Sequence, residues 1–97
     1  MADAPSRIPR RSERISESVP ITLLAKFSGI QTEFPASTVD YSEHGLRVRT
    51  SFPLSQGQAV FARSADQEID LGFCRVVWAQ TTEIDSPTTE AGLAYVN

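Results

Sequence analysis

Two arginines four positions apart, Arg10 and Arg14 in Arg10-Arg11-Ser12-Glu13-Arg14, are the first residues in the chain with the means to hold a ligand. Residues i and i+4 share a face in a helical turn and also in a strand, because four is a multiple of two. Two guanidinium forks therefore project together in either conformation. Each matches phosphate oxygens, or the O6/N7 edge of a guanine, in a bidentate way that a lysine does not copy. A second cluster, Asp40-Tyr41-Ser42-Glu43-His44-Gly45, reads Asp-x-Ser-x-x-Gly. A carboxylate offers two adjacent acceptors, which match the N1–H and N2–H donors on the Watson–Crick edge of a guanine. The Ser42 hydroxyl donates to a base or phosphate acceptor, and both side chains also brace a turn. Gly45 is expected to supply a positive φ that lets the chain double back.

These clusters need a scaffold, and the apolar pattern points to strands. Val19, Ile21, Leu23, Ala25 and Phe27 alternate with mostly polar neighbours, broken by Leu24, and Ser28-Gly29 reads as a turn. A second strand is expected within Gln31–Asp40, with Pro35 assigning it to an edge or a bulge. A third starts after Gly45, with Leu46 and Val48 opposed to Arg47 and Arg49. Pro53–Gly57 is a turn, Gln58–Ala62 a short strand, and Ser64–Gln67 a polar loop. A long strand runs from Ile69 through Trp78, apolar on both parities late in its course, which requires two covered faces or a bulge. Thr81–Thr89 is a polar loop and Ala91–Val96 a closing strand. About six short strands, spaced by roughly ten residues, with no helical stripe, indicate an all-β sandwich or barrel.

The chain has 97 residues, 40% of them hydrophobic and 22% charged, enough for one small domain. It has no apolar run long enough to span a membrane and no apolar N-terminal stretch resembling a secretion signal, so a soluble cytoplasmic protein is expected. One cysteine, Cys74, excludes an internal disulfide, and one histidine, His44, is too few for a histidine-based metal site. Charge is uneven. The segment Met1–Arg14 holds four arginines against two acids, and the rest of the chain holds five bases against ten acids, for a total of −3. A basic arm on an acidic body suits a compact anionic ligand and disfavours a nucleic-acid polymer, whose phosphates the body repels.

In this order, Arg10-x-x-x-Arg14 followed by Asp40-x-Ser42-x-x-Gly45 resembles the PilZ domain, the bacterial receptor module for cyclic di-GMP. Gly45-Leu46-Arg47-Val48, Pro53-Leu54-x-x-Gly57, Arg75-Val76-Val77-Trp78 and Gly92-Leu93-Ala94-Tyr95 extend the resemblance across residues 10–96. It implies a six-stranded antiparallel β-barrel over residues 10–97. Residues 1–9, with Pro5 and Pro9 and almost nothing apolar, are expected to form a flexible arm, and the C-terminal helix into which many members continue is expected to be short or absent here. By resemblance, cyclic di-GMP is held by Arg10, Arg11 and Arg14 together with Asp40, Ser42 and Gly45. No other cofactor, no metal and no catalytic residue is expected.

The remaining residues carry plainer expectations. Trp78 suits two roles, a stacking face for a base or a barrel core or rim position. Arg47, Arg49 and Arg75 either extend the anion site or simply face solvent. Without ligand, Arg10, Arg11 and Arg14 are expected to repel each other on a mobile arm that the ligand orders. The resemblance further implies an effector that signals to an unidentified protein partner in motility, adhesion or polysaccharide secretion, as a monomer or weak dimer. The alternatives are a ligand-independent docking module on the same barrel and an OB-like single-strand binder.

Overall fold

The computed structural model describes residues 14–82 and 86–96. Its elements are β1 (Pro20–Phe27), β2 (Ile30–Ser42), β3 (Gly45–Thr50), β4 (Ala59–Ser64), β5 (Asp70–Thr82) and β6 (Thr88–Tyr95), with no helix among the described residues. Every pairing is antiparallel, and the sheet closes in the order β1-β2-β3-β6-β5-β4, so the expected barrel is the observed one. Closure removes the unpaired strand edges that an open sheet would expose.

The alternation read from the sequence fixes what faces inward. Ile21, Leu23 and Ala25 from β1, Leu46 and Val48 from β3, and Val60 and Ala62 from β4 fill the core with Phe34, Leu54, Cys74, Val76, Ala91 and Leu93. Phe34 stacks on Phe52 at 4.5 Å between ring centroids and meets the edge of Phe27 at 5.6 Å, which plugs one end of the barrel. The β1–β2 hairpin turns through Ser28 (φ 54°) and Gly29 (φ 81°), the pair of positive values that a two-residue hairpin with native twist demands.

Three bulges shape the barrel. The register shifts between Thr38 and Asp40 on β2, and between Val76 and Trp78 on β5, leaving Val39 and Val77 without a partner. A third, opposite Ala62 and Arg63, leaves Leu71 unpaired. The β2 bulge therefore sits at Val39 and not at Pro35. Pro35 lies just outside the β2–β3 ladder, which starts at Ser37, and on that side its carbonyl accepts the Thr50 hydroxyl at 2.9 Å. Its missing N–H thus breaks no ladder bond. In β5 the apolar run on both parities reflects the bulge: Phe73, Val77 and Trp78 are all exposed, not covered by a second layer.

Cys74 is enclosed in the core, and burial pushes its thiol up to about 11. The folded form keeps this proton where the unfolded chain releases it, near pH 9. Stability from the neutral thiol is therefore complete below pH 9 and declines as pH rises towards 11. A Cys74→Ala variant should show a flatter alkaline limb in its Tm–pH profile than the parent, measured by circular dichroism.

Candidate functional site

A residue that follows a bulge changes face. Up to Thr38, β2 points its even-numbered side chains inward, Thr38 lying opposite core residue Val48. Val39 absorbs one position, so Asp40 pairs with outward-facing Arg47 rather than with core residue Leu46. Val77 does the same for β5. Val76 faces Leu93 inside, whereas Trp78 faces Gly92 outside. Because Arg47 is itself the partner of Gly92, the four strands align one outward row, Asp40–Arg47–Gly92–Trp78, across β2, β3, β6 and β5.

At one end of the row, the Asp40 carboxylate is shared by two arginines. Arg14 Nε donates to Oδ1 at 2.7 Å and Arg47 Nη2 donates to Oδ2 at 2.6 Å. Only 7% of the Asp40 side chain reaches solvent, since the two guanidinium groups cover it, while Arg14 and Arg47 keep 44% and 43% exposure. Arg14 is held in place by its own backbone neighbours. Ile15 exchanges both hydrogen bonds with Tyr41, at 2.8 and 3.0 Å, and Thr38 N–H donates to the Val19 carbonyl. The Tyr41 hydroxyl donates to Glu17, and this bond to a carboxylate, with a lesser effect of burial, raises the phenol above its usual range. The stretch from Ile15 to Val19 thus runs along β2 as an extension of β1. Arg14 is consequently paired before any ligand arrives, contrary to the expectation that it sits on a mobile arm. Arg10, Arg11 and the arm at 1–9 lie outside the described residues.

Ser42 and Gly45 bound the two-residue turn between β2 and β3. Ser42 Oγ accepts the His44 N–H at 3.1 Å and lies 3.4 Å from Arg14 Nη1. Both contacts use oxygen lone pairs, which leaves the hydroxyl hydrogen free to donate. Gly45 is needed for a reason other than the one expected. Its φ is not positive; instead, a Cβ there would lie 2.0 Å from the Leu93 carbonyl oxygen. The glycine allows β3 and β6 to close, so it shapes the wall of the site.

At the other end, Trp78 lies flat on Gly92. A Cβ on Gly92 would come within 2.2 Å of the indole Nε1 and 2.8 Å of Cδ1 and Cε2. One indole face rests on the β6 backbone, and the side chain remains 38% exposed. Trp78 thus sits at the barrel rim with one face open, a placement that accommodates either expected role. The result is a groove of about 430 Å³ lined by Arg14, Asp40, His44, Arg47, Val77 and Trp78. Arg49 and Arg75 do not join it: Arg49 pairs with Glu90 at 3.2 Å, and Arg75 donates to the Gly57 carbonyl at 2.6 Å. Sequence reasoning leaves Arg47 undecided and gives Gly92 no role. The two-residue turn from Ser42 to Gly45 is the available signal, because counting back from it sets Arg47 opposite Asp40 before the bulge is reached.

Two cationic forks beside an acid and a flat aromatic face have the chemistry that suits a planar, anionic ligand. The chain belongs to the PilZ family, whose model (PilZ domain) matches residues 8–97. That family consists of cyclic di-GMP-binding modules and is not a catalytic one. No curated protein and no solved structure matches the chain.

The sharing of Asp40 makes its two partners unequal to it in stability. Removing Arg14 leaves Asp40 paired with Arg47, whereas removing Asp40 leaves two cations side by side. Arg14→Ala should cost under about 1 kcal/mol in urea unfolding, the range of an exposed pair. Asp40→Ala should cost about 1–3 kcal/mol, the range for hydrogen bonds to a charged group, because both guanidinium groups lose the carboxylate they share. In Gly92→Ala, the single tryptophan is displaced and its emission should shift to the red.

Proposed function

We propose that this chain is a receptor for cyclic di-GMP and that the outward row is the floor of its site. The observation that carries this reading is the alignment of Asp40, Arg47, Gly92 and Trp78 beside Arg14, which sets paired guanidinium forks and a bare indole face in one groove. The ligand has two phosphodiester charges and two guanines. Arg14 and Arg47 bind phosphate oxygens or the O6/N7 edge of a guanine, and Trp78 stacks on a base. An ionised carboxylate offers about four lone-pair positions, of which the arginines occupy two. Asp40 therefore holds both forks in place, and it accepts from a guanine edge once one fork turns to the ligand and uncovers it. Ser42 donates its free hydroxyl hydrogen to the ligand. Arg10 and Arg11 supply further guanidinium groups to the ligand.

Because Arg14 is already positioned, ligand binding does not have to order the backbone from Ile15 onward. At about 1–2 kcal/mol of conformational entropy per residue fixed, the avoided cost is comparable to one charge-assisted hydrogen bond per residue. In the cell, the loaded domain acts as a small effector on a protein partner, in motility, adhesion or polysaccharide secretion.

Calorimetric titration with cyclic di-GMP should show saturable binding, with GTP and cyclic GMP giving little or no heat. Trp78 is the only tryptophan, so its fluorescence should be quenched over the same range. Arg14→Ala should weaken binding by about a hundredfold or more, the equivalent of two charge-assisted bonds, with little change in Tm. Unchanged affinity in that variant would refute the assignment.

A further inference from the structure

Away from the groove, on β1, β4 and β5, a second outward row is aligned by register: Leu24 opposite Phe61, and Phe61 opposite Phe73. Three of the five phenylalanines, Phe27, Phe34 and Phe52, pack on one another at the end of the barrel. The other two meet edge to face outside it, with ring centroids 4.6 Å apart. Phe73 is 65% exposed, and the backbone N–H of Val96, itself exposed, donates to its carbonyl. Leu24 is the residue that breaks the alternation of its strand. A groove of about 560 Å³ lies against this row.

Cations flank the row on both sides. Arg63 stands over the Phe61 ring, its Cζ 5.4 Å from the centroid. On the other side come Lys26, two positions beyond Leu24, and Arg75, two beyond Phe73. Three of the five bases that follow Arg14 are thus gathered on one face of a body that carries ten acids. The acids beside the row are Asp70, 3.4 Å from Arg63, and Glu33, opposite Leu24. Neither Lys26 nor Arg75 forms an ion pair among the described residues.

We propose that this face docks a protein segment in which an aromatic or aliphatic anchor is flanked by carboxylates. The anchor covers Phe61 and Phe73, and the acids meet Lys26, Arg63 and Arg75. Charge excludes the nearer alternatives. The chain's own Met1–Arg14 segment is net cationic, and a second copy would set the same three cations against themselves. An anionic membrane calls for clusters of about four to eight bases, more than this face holds. Added strands are excluded as well, because the closed barrel leaves no ladder edge here for backbone pairing. The proposal is independent of the nucleotide reading, since no residue of the row lines the groove that contains Asp40 and Trp78.

The test is selection of random dodecapeptides on the full chain without nucleotide, followed by anisotropy titration of the selected peptides. Enriched peptides should combine Asp or Glu with one or two Phe, Leu or Trp. Phe73→Glu and, separately, Lys26→Glu should each weaken them at least tenfold. Phe73→Glu should also keep the parent's calorimetric response to cyclic di-GMP, which separates failure of this proposal from failure of the nucleotide assignment. Should either variant melt early, the other carries the test. The proposal is overturned by the absence of enrichment, by a basic consensus, or by indifference to both substitutions. Two further results would overturn it by reassigning the face: a dimer in sedimentation velocity, or pelleting with phosphatidylserine vesicles, that Phe73→Glu abolishes.

Discussion

Two unpaired valines decide where the chemistry of this barrel goes. In an unbroken strand, Asp40 would follow Thr38 into the core opposite Leu46, and Trp78 would follow Val76 inward. A lone carboxylate in that core would carry a desolvation cost of several kcal/mol, with no partner to offset it. Leaving Val39 and Val77 out of the ladder turns both side chains to the outer surface, each strand losing one ladder position. The strands between them, β3 and β6, need no irregularity, because Arg47 and Gly92 already face outward in register. The same device that gives a small barrel its curvature thus also builds its binding row.

Asp40 shows how a surface carboxylate becomes enclosed without entering a core. Its neighbours are two guanidinium groups whose own outer edges stay wet, so the acid is shielded by charges that water continues to solvate. A buried acid paired only by buried bases would forfeit the hydration of every partner. Here the cost falls mainly on one group, and two short charge-assisted bonds offset it. The local charge is one acid against two bases, a net positive charge poised for an anion. Arg47 Nε, buried and without an acceptor among the described residues, shows that donor capacity at this end exceeds what Asp40 satisfies.

Much of this is legible from residue types and spacing, and the misses have specific physical causes. Inward alternation in β1 and β3 is a period-two signal that survives in the structure residue by residue. Bulge positions carry a weaker signal, because an unpaired residue needs no special side chain. Sequence alone therefore points to Pro35, the residue with an evident defect, although the shift in β2 occurs at an ordinary valine. Gly45 misleads for a related reason: a turn-adjacent glycine suggests positive φ, while its real constraint is the approach of the Leu93 carbonyl from β6, at the far end of the chain. A tertiary contact of that kind leaves no local trace. Arg14 reads as part of a mobile segment because Ile15–Val19 lacks a clear alternation, yet backbone bonds to Tyr41 and Thr38 fix it regardless of side-chain pattern.

A closed sheet also limits how such a protein can recognise anything. With the backbone donors and acceptors of each strand committed to its two neighbours, recognition passes through outward side chains, and their selection depends on register. β5 illustrates the consequence. Before Val77 its outward residues, Phe73 and Arg75, belong with Phe61 on β4; after Val77, Trp78 belongs with Gly92 on β6. Drawing that single valine into the ladder opposite Gly92 would turn Trp78 to the interior while leaving Phe73 in place, so one row can be lost without the other. The two faces share a strand but not a register, and they are therefore free to present unrelated chemistry: an acid clamped between cations on one side, an aromatic pair ringed by cations on the other.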